Sequence, residues 1–414
     1  MVTWPLKRME ELCEITSSKR IFAADYVSEG VPFYRGREIT EKYKGNLEVS
    51  TELFITEEKF REIERKSGAP KQGDLLLTSV GTLGSVYVVK LGDRFYFKDG
   101  NLTWFRYFKE LDSQFLYYWI GSPKGKAELQ KCTIGSSQSA FTIVLLKSME
   151  IELPPLPVQQ RIAGILSAYD ELIENSQRRI KILETTARTL YREWFVHFRF
   201  PGHENHPRVT SSLGEIPQGW EVKKLADVAE DMRRNISKGQ LEEPTPFVGL
   251  EHIPRRSLAL DAWETTTELG SNKLEFKKGE ILFGKIRPYF HKVSVAPFDG
   301  LCSADTIVIR SRQPEHYAIV VGCVSSDEFV ALATATSNGS KMPRANWSVL
   351  EEHLIAIPTL TVANQFSAVV EPAIQQMQAL IFQIQNLRRT RDLLLPRLLS
   401  CQIDVEAISE GVAA

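Results

Sequence analysis

Several short segments of this 414-residue chain carry residue types that catalytic sites use, and each lacks a part its chemistry requires. Gly121-Ser122-Pro123-Lys124-Gly125-Lys126 resembles a loop that cradles phosphates, but it is one residue short. Ala127 also stands where a hydroxyl would hold magnesium. Glu275-Phe276-Lys277 has the acid-x-Lys spacing of a nuclease, with no Pro-Asp before it. Methylation of a base amino group needs a short Asn/Asp-Pro-Pro-aromatic loop to grip the flipped base. The only Pro-Pro here, Pro154-Pro155, follows Leu153. His203 and His206 sit three apart in a polar stretch, where solvated surface is a simpler reading than a metal site. The cysteines (13, 132, 302, 323 and 401) are odd in number and never spaced as C-x-x-C. That pattern fits reduced thiols in a cytosol and argues against a zinc module. No catalytic or metal-binding set is therefore expected, and the remaining chemistry is that of binding.

The binding candidates are turns rich in cations, hydroxyls and amides, and they come in pairs. In the first half, Thr78, Ser79 and Thr82 lie in T-S-V-G-T-L-G, and Ser136, Ser137 and Gln138 close T-I-G-S-S-Q. Glycines there let backbone N–H groups approach a phosphate or a base edge, and a glutamine can pair with adenine. Lys19, Arg20, Arg35 and Arg37 add charge. In the second half, G-K-I-R-P-Y-F-H-K supplies Lys285, Arg287, Tyr289, His291 and Lys292. Ser340, Lys341 and Arg344 match the Gln138 turn, and Arg233, Arg234 and Lys238 match Lys19 and Arg20. The competing reading is that charged turns are merely solvated. Lys plus Arg number 51 against 52 acids, so a nucleic-acid surface must be local.

The elements that position these turns are duplicated. Trp4 opens W-P-L-K-R-M-E-E-L and Trp220 opens W-E-V-K-K-L-A-D-V. Pro32-Phe33 recurs as Pro246-Phe247, K-Q-G-D-L-L-L at Lys71 as K-K-G-E-I-L-F at Lys277, and I-E-L-P-P-L at Ile151 as I-A-I-P-T-L at Ile355. Ordered landmarks whose offset drifts from 216 to 204 mean two diverged copies of one domain. Strands are expected at Leu75, Ser85 and Leu102, with glycine-rich turns between them, and a helix over Phe115 to Ile120.

Each copy then enters a heptad-patterned helix. In the first, one seam holds Leu166, Ile173, Ile180, Ala187 and Trp194; the other holds Ile162, Tyr169, Ser176, Leu183 and Leu190. This predicts a coiled-coil helix of roughly 35 residues, ~50 Å long, ended by Phe200-Pro201-Gly202. The second helix has Val370, Met377, Ile384 and Leu398 on one seam and Phe366, Ala373, Leu380, Leu387 and Leu394 on the other. Arg391 interrupts its first seam, and Pro372 is expected to kink or delay it. Matching seams imply that the two helices pack together, antiparallel if the globular parts lie at opposite ends. Hydrophobic content of 43% and charged content of 25% are ordinary for a soluble protein. No 18-residue apolar run suggests a membrane span, and the N-terminus lacks a signal-peptide core.

L-P-P-L-P-V-Q-Q-R-I from Leu153, R-E-W-F-V-H-F-R-F-P-G-H-E from Arg192, L-G-E-I-P-Q-G-W-E from Leu213 and L-L-P-R-L-L-S-C-Q-I from Leu394 together resemble type I restriction-modification specificity subunits. Two departures stand out: Val158-Gln159 replaces the usual Glu-Gln, and Cys401 replaces a glycine. The resemblance implies an α+β chain with two similar mixed α/β target-recognition domains joined by two long antiparallel coiled-coil helices, with pseudo-two-fold symmetry. Residues 1–153 would form the first recognition domain and 154–200 the central helix region. Residues 201–361 would form the linker and second recognition domain, and 362–414 the C-terminal helix and tail. It further implies a cytoplasmic, non-catalytic subunit that reads a bipartite, asymmetric target in double-stranded DNA. The helices would act as a ruler and as the dock for two modification (methylase) subunits, with restriction motor-nuclease subunits joining. S-adenosylmethionine, ATP and magnesium would reside in those partners, not in this chain. Two alternatives remain from the residues alone: a self-contained duplicated DNA methylase or nuclease, and a duplicated DNA-binding regulator.

Overall fold

Leu75 to Thr78 is a run with no polar alternation, and such a run suits a strand covered on both faces. In the computed structural model, which describes residues 4–46, 49–135, 139–339, 341–400 and 402–403, all four of its residues are fully buried. Leu75 and Leu77 face one core with Val86, Phe105 and Phe115, while Leu76 faces another with Tyr87, Phe97 and Trp104. The strand is central in a four-stranded sheet. Taking β1 (Glu14–Thr16), β2 (Leu75–Thr78), β3 (Val86–Val88) and β4 (Leu102–Arg106), the order is β1-β4-β2-β3, antiparallel throughout.

The second half repeats this arrangement. With β5 (Ala229–Asp231), β6 (Ile281–Gly284), β7 (Val293–Val295) and β8 (Thr306–Ser311), the order is β5-β8-β6-β7. Other landmarks also recur as topology. Leu6–Arg8 pairs with Glu150–Glu152, as Glu221–Lys224 pairs with Leu354–Ile357. The duplicated Pro-Phe starts a parallel pairing in each copy, Phe33 opposite Tyr96 and Phe247 opposite Leu301. The copies differ beside it: a four-stranded second sheet in the first half is a five-stranded one in the second, where Gly300–Ser303 also pairs with Lys273–Phe276, which in turn pairs with Arg234–Ile236.

The chain divides into two compact units, residues 1–174 with 387–414 and residues 175–386. Each unit therefore contains its sheets and a portion of both long helices, Leu156–Tyr191 (36 residues) and Leu360–Leu399 (40 residues). In unit 1 the start of the first helix and the end of the second share one core, with Ile162, Leu166 and Leu398 buried and Leu394 packed against them. Asp170 there pairs with Arg391, so the helices run antiparallel. The arginine expected to break the seam instead has a partner in it: Tyr118 donates to the other Asp170 oxygen at 2.6 Å. Tyr169, Leu183, Leu190 and Leu387 are only half-buried, whereas Ile173, Ile180, Trp194, Met377, Leu380 and Ile384 are buried.

Pro372 neither delays nor interrupts the second helix, which is continuous across it. The proline is exposed, so the carbonyl it leaves without a helical N–H can bond water instead. The end of the first helix also departs from the expectation. The α-helix stops at Tyr191 and one π-turn, Arg192–Val196, follows, with His197 N donating to Arg192 O at 2.9 Å. The extra residue in that turn lets neighbouring Trp194 and Phe195 both face inward; each is 7% exposed.

Unit 2 holds its stretch of the first helix through Glu184. Its Oε1 accepts from Ser257 Oγ (2.5 Å), Leu258 N (2.6 Å) and Ala259 N (3.1 Å), and the residue is 7% exposed. Removing the acceptor orphans the Leu258 N–H in a buried setting, while Ala259 N retains Ser257 Oγ at 3.2 Å. Glu184→Ala is expected to cost about 2–4 kcal/mol in urea unfolding, and Glu184→Gln, which keeps an acceptor, less than half of that. Equal losses for the two variants would show that the carboxylate is not acting as an acceptor. In unit 1 the residue after the unusual Val158 fastens its helix in a similar way. Buried Gln159 accepts from Asp112 N (2.8 Å) and donates to Pro154 O (2.8 Å) and Glu110 O (2.9 Å).

Candidate nucleic-acid interface

The sheet brings each pair of candidate turns together. In unit 1 the turn leaving β2 is clasped to the segment after T-I-G-S-S-Q: Phe141 N donates to Ser79 O at 3.0 Å, and Val80 bridges Ala140. In unit 2 the turn leaving β6 is clasped identically, with Ala345 N donating to Lys285 O at 3.0 Å and Ile286 bridging Arg344. Ser136, Ser137, Gln138 and Ser340 lie outside the described residues.

Two of the hydroxyls beside the glycines of unit 1 are buried and build the turn. Thr78 is fully buried; its Oγ1 donates to Thr82 O (2.5 Å) and accepts from Ser85 N (2.8 Å). Ser79, 2% exposed, shares a hydrogen bond of 2.7 Å with Thr103 Oγ1. Both hydroxyls thus serve to form the turn, because Ser and Thr side chains readily satisfy nearby backbone groups. Thr82 remains exposed. It borders a cleft of about 510 Å³ together with Arg35, Arg37, Lys44 and Asn101; Glu41 and Glu52 are its acidic members. A second cleft of about 570 Å³ shares Thr40, Lys44 and Thr82 and continues to Lys126, Gln130 and Thr133. Arg35 is partly neutralised by buried Glu38 at 3.1 Å, and Arg37 lies 3.8 Å from the same acid. Lys19 and Arg20 are exposed and border neither cleft; Arg20 pairs with Asp99 at 3.1 Å.

In unit 2 the cations separate into engaged and available groups. Arg233 pairs with Asp231 at 2.7 Å, and Arg234 is held by Glu280 and by Glu275 at 3.5 Å. Lys238 is exposed, its backbone N bonded to Asn272 Oδ1 at 3.0 Å. His291 is 3% exposed, and its Nε2 meets Ser325 O at 2.9 Å. Burial holds its pKa below the ordinary histidine range. It anchors the turn. Lys292 Nζ donates to Leu250 O and Lys285 Nζ to Ala304 O (3.0 Å). Tyr289 is 51% exposed, Lys341 is exposed, and Arg344 lies 3.6 Å from Asp305. Arg255, absent from the sequence candidates, stands over the Phe290 ring at 3.9 Å. Neither it nor Lys44 and Lys126 belongs to a dense basic motif, so only the folded chain reveals them.

The catalytic look-alikes resolve into structure. Ser122 caps the helix Pro123–Lys131, its Oγ accepting from Gly125 N at 3.0 Å, and a β-carbon at Gly125 would collide with the Trp119 carbonyl. That glycine serves close packing between two helices. Lys277 pairs with Glu275 at 2.8 Å. The rings of His203 and His206 each meet a backbone carbonyl at 2.8 Å. Among the described residues no group of His, Cys, Asp and Glu is placed to hold a metal. The four described cysteines are buried, and burial pushes the Cys13, Cys302 and Cys323 thiols up to about 12. Among the described residues no single helix is long and apolar enough to cross a membrane.

Comparison with known proteins gives consistent results. Residues 1–185 match the type I restriction modification DNA specificity domain. The type I restriction enzyme MjaIX specificity subunit of Methanocaldococcus jannaschii is 26% identical over 98% of this chain and 94% of its own length. The type I restriction enzyme EcoDI specificity subunit of Escherichia coli is 29% identical over 45% of this chain and 42% of its own. A crystal structure of the type I restriction-modification S subunit from M. genitalium superposes with a TM-score of 0.59, covering 96% of both chains at 15% identity, a likeness of fold.

Proposed function

We propose that the chain is a specificity subunit of a type I restriction-modification system, a subunit that recognises DNA and is not catalytic, and that it divides the work as follows. Each unit reads one half of a split, asymmetric target in double-stranded DNA. The paired helices set the gap between the halves and dock two modification subunits, and motor-nuclease subunits complete the cytoplasmic complex. S-adenosylmethionine, ATP and magnesium belong to those partners. The observation carrying this reading is the repeated clasp: in both units the turn leaving the central strand is fastened to a second polar turn beside unpaired or partly paired cations.

The purified chain should neither methylate nor cut DNA and should not bind the methyl donor in calorimetry. Its weak DNA affinity should fall steeply with salt as counterions are displaced. Expressed in cells, it should co-purify large subunits with methylase and helicase motifs, and the host methylome should gain one bipartite motif. Donor binding by the isolated chain, or a methylome unchanged by the gene in the presence of its partners, would sink the proposal.

A further inference from the structure

The two units make the corresponding turn with different residues, and unit 2's is one residue longer between the matching hydrogen bonds. Two pairs of matching hydrogen bonds fix the correspondence. Ala345 N to Lys285 O repeats Phe141 N to Ser79 O (both 3.0 Å), and Gly284 N to Lys292 O repeats Thr78 N to Ser85 O (both 2.9 Å). Counting two residues on from Ser79 and Lys285 aligns Gly81 with Arg287. Counting one back from Ser85 and Lys292 aligns Gly84 with His291. Gly81 and Gly84 have φ of 81° and 83°, and Arg287 and His291 have φ of 50° and 53°. All four are left-handed, a conformation glycine adopts freely and a residue with a β-carbon adopts at a cost. Unit 2 thus retains two side chains where its duplicate shows that glycine suffices.

For His291 the compensation is visible, since its buried ring ties the turn to Ser325 O. For Arg287 no side-chain hydrogen bond or ion pair among the described residues offsets the strain. Its guanidinium has no hydrogen-bonding or acidic partner among the described residues; it lies 5.9 Å from the Phe290 ring. Arg255 occupies the same ring at 3.9 Å, also without an acid. Two like charges gathered on one phenyl ring repel each other unless something anionic or rich in acceptors joins them. The backbone beneath them is rigid: Arg287 N donates to Pro343 O (2.8 Å), Phe290 N to Arg287 O (2.9 Å) and Arg256 N to His291 O (2.8 Å). Strain held on a rigid support, with a guanidinium that has no hydrogen-bonding or acidic partner among the described residues, is the pattern of a functional position.

We infer that Arg255 and Arg287, mounted on Phe290, are the specificity-determining pair of unit 2, with Arg287 reading the edge of a guanine and Arg255 holding a neighbouring phosphate. A guanidinium meets guanine N7 and O6 with two parallel hydrogen bonds, and a second cation beside it suits the backbone of the same strand. This rests on the reading of the chain as a DNA specificity subunit.

The test uses the full chain assembled with its modification subunits and duplexes carrying the target mapped from host methylation. Arg287→Gly should melt no lower than wild type, because it adopts the residue of the duplicate turn. It should lose tenfold or more in preference for the cognate duplex over one substituted in unit 2's half, with the other half discriminated normally. Arg287→Lys should keep the charge and lose the same preference. Arg255→Ala should weaken cognate and substituted duplexes alike and lower the salt dependence by about one ion. Undiminished discrimination by Arg287→Gly overturns the inference, as does a lower melting point, which would make the arginine a structural prop. If the wild-type complex discriminates neither half, the DNA reading itself has failed, an outcome distinct from both.

Discussion

Phe366→Ala is expected to lower the stability of unit 2 by about 3–5 kcal/mol, among the largest losses a single side chain in it can produce. Phe366 is fully buried near the start of the second long helix. Its ring meets Phe195 edge-on at 4.8 Å and Trp194 at 5.5 Å. The space left cannot readily collapse, because the neighbours are themselves pinned. Phe195 stacks on Tyr191 at 5.3 Å and touches Trp220 at 5.6 Å, and Trp220 packs on Phe198 (5.6 Å) and Phe200 (5.3 Å). Tyr191 in turn is pressed so closely on Gly322 that a β-carbon there would collide with it. An immobile wall makes the cavity term approach its full value. Phe366→Leu, which keeps most of the volume and loses the ring contacts, should cost about 1–2 kcal/mol. Urea unfolding followed by tryptophan fluorescence checks both, and an alanine loss below about 1 kcal/mol would refute the rigid-cluster account.

That cluster also explains what the segment R-E-W-F-V-H-F-R-F does in this chain. Its four aromatics, at 194, 195, 198 and 200, plug the base of unit 2 around Trp220, the residue that opens the second copy. In unit 1, Trp4 is half-buried and packs on the same core as Leu394, Leu395 and Leu399 from the end of the second helix. The duplicated tryptophans were legible in the sequence as the openings of the two repeats. The helical seams were legible because heptad spacing reports one apolar stripe. A second stripe was not: Tyr191, Ile374 and Ile381 are buried outside the heptad positions. A helix that packs on a globular core as well as on another helix needs a wider apolar face than a coiled coil.

The interface was legible only in part, for a different reason. Cations dense along the chain, as in residues 285–292, announce themselves. Cations in sparser groups, such as Lys44, Lys126 and Arg255, do not, since each reaches the candidate surface through tertiary folding. The hydroxyls misled in the opposite direction. Thr78 and Ser79 beside glycines have the composition of a phosphate cradle, yet a tight turn needs the same residues to satisfy its own backbone. Burial distinguishes the two uses, and residue type does not.

Inserting four residues into the first long helix between Glu174 and Asn175, with a matching insertion between Asn386 and Leu387, is expected to widen the unspecified gap of the DNA target. Both half-site sequences should stay as they are. These are the points where the two helices pass from one compact unit to the other. Four residues add ~6 Å of rise and ~40° of rotation beyond a full turn. A duplex advances ~3.4 Å and turns ~34° per base pair, so the rotation favours one added base pair and the rise nearly two. The seams survive, because apolar positions recur at intervals of three and four. An insertion of two residues is the control: it rotates the helix by ~200°, turns the apolar seam outward and should abolish methylation altogether. Methylome sequencing of a host carrying each variant with its modification subunits reads the outcome directly. A four-residue variant that methylates a different set of bases would refute the ruler, because the helices would then be shaping the reading surfaces. An unchanged gap would refute it as well, since recognition would then be indifferent to the distance the helices impose.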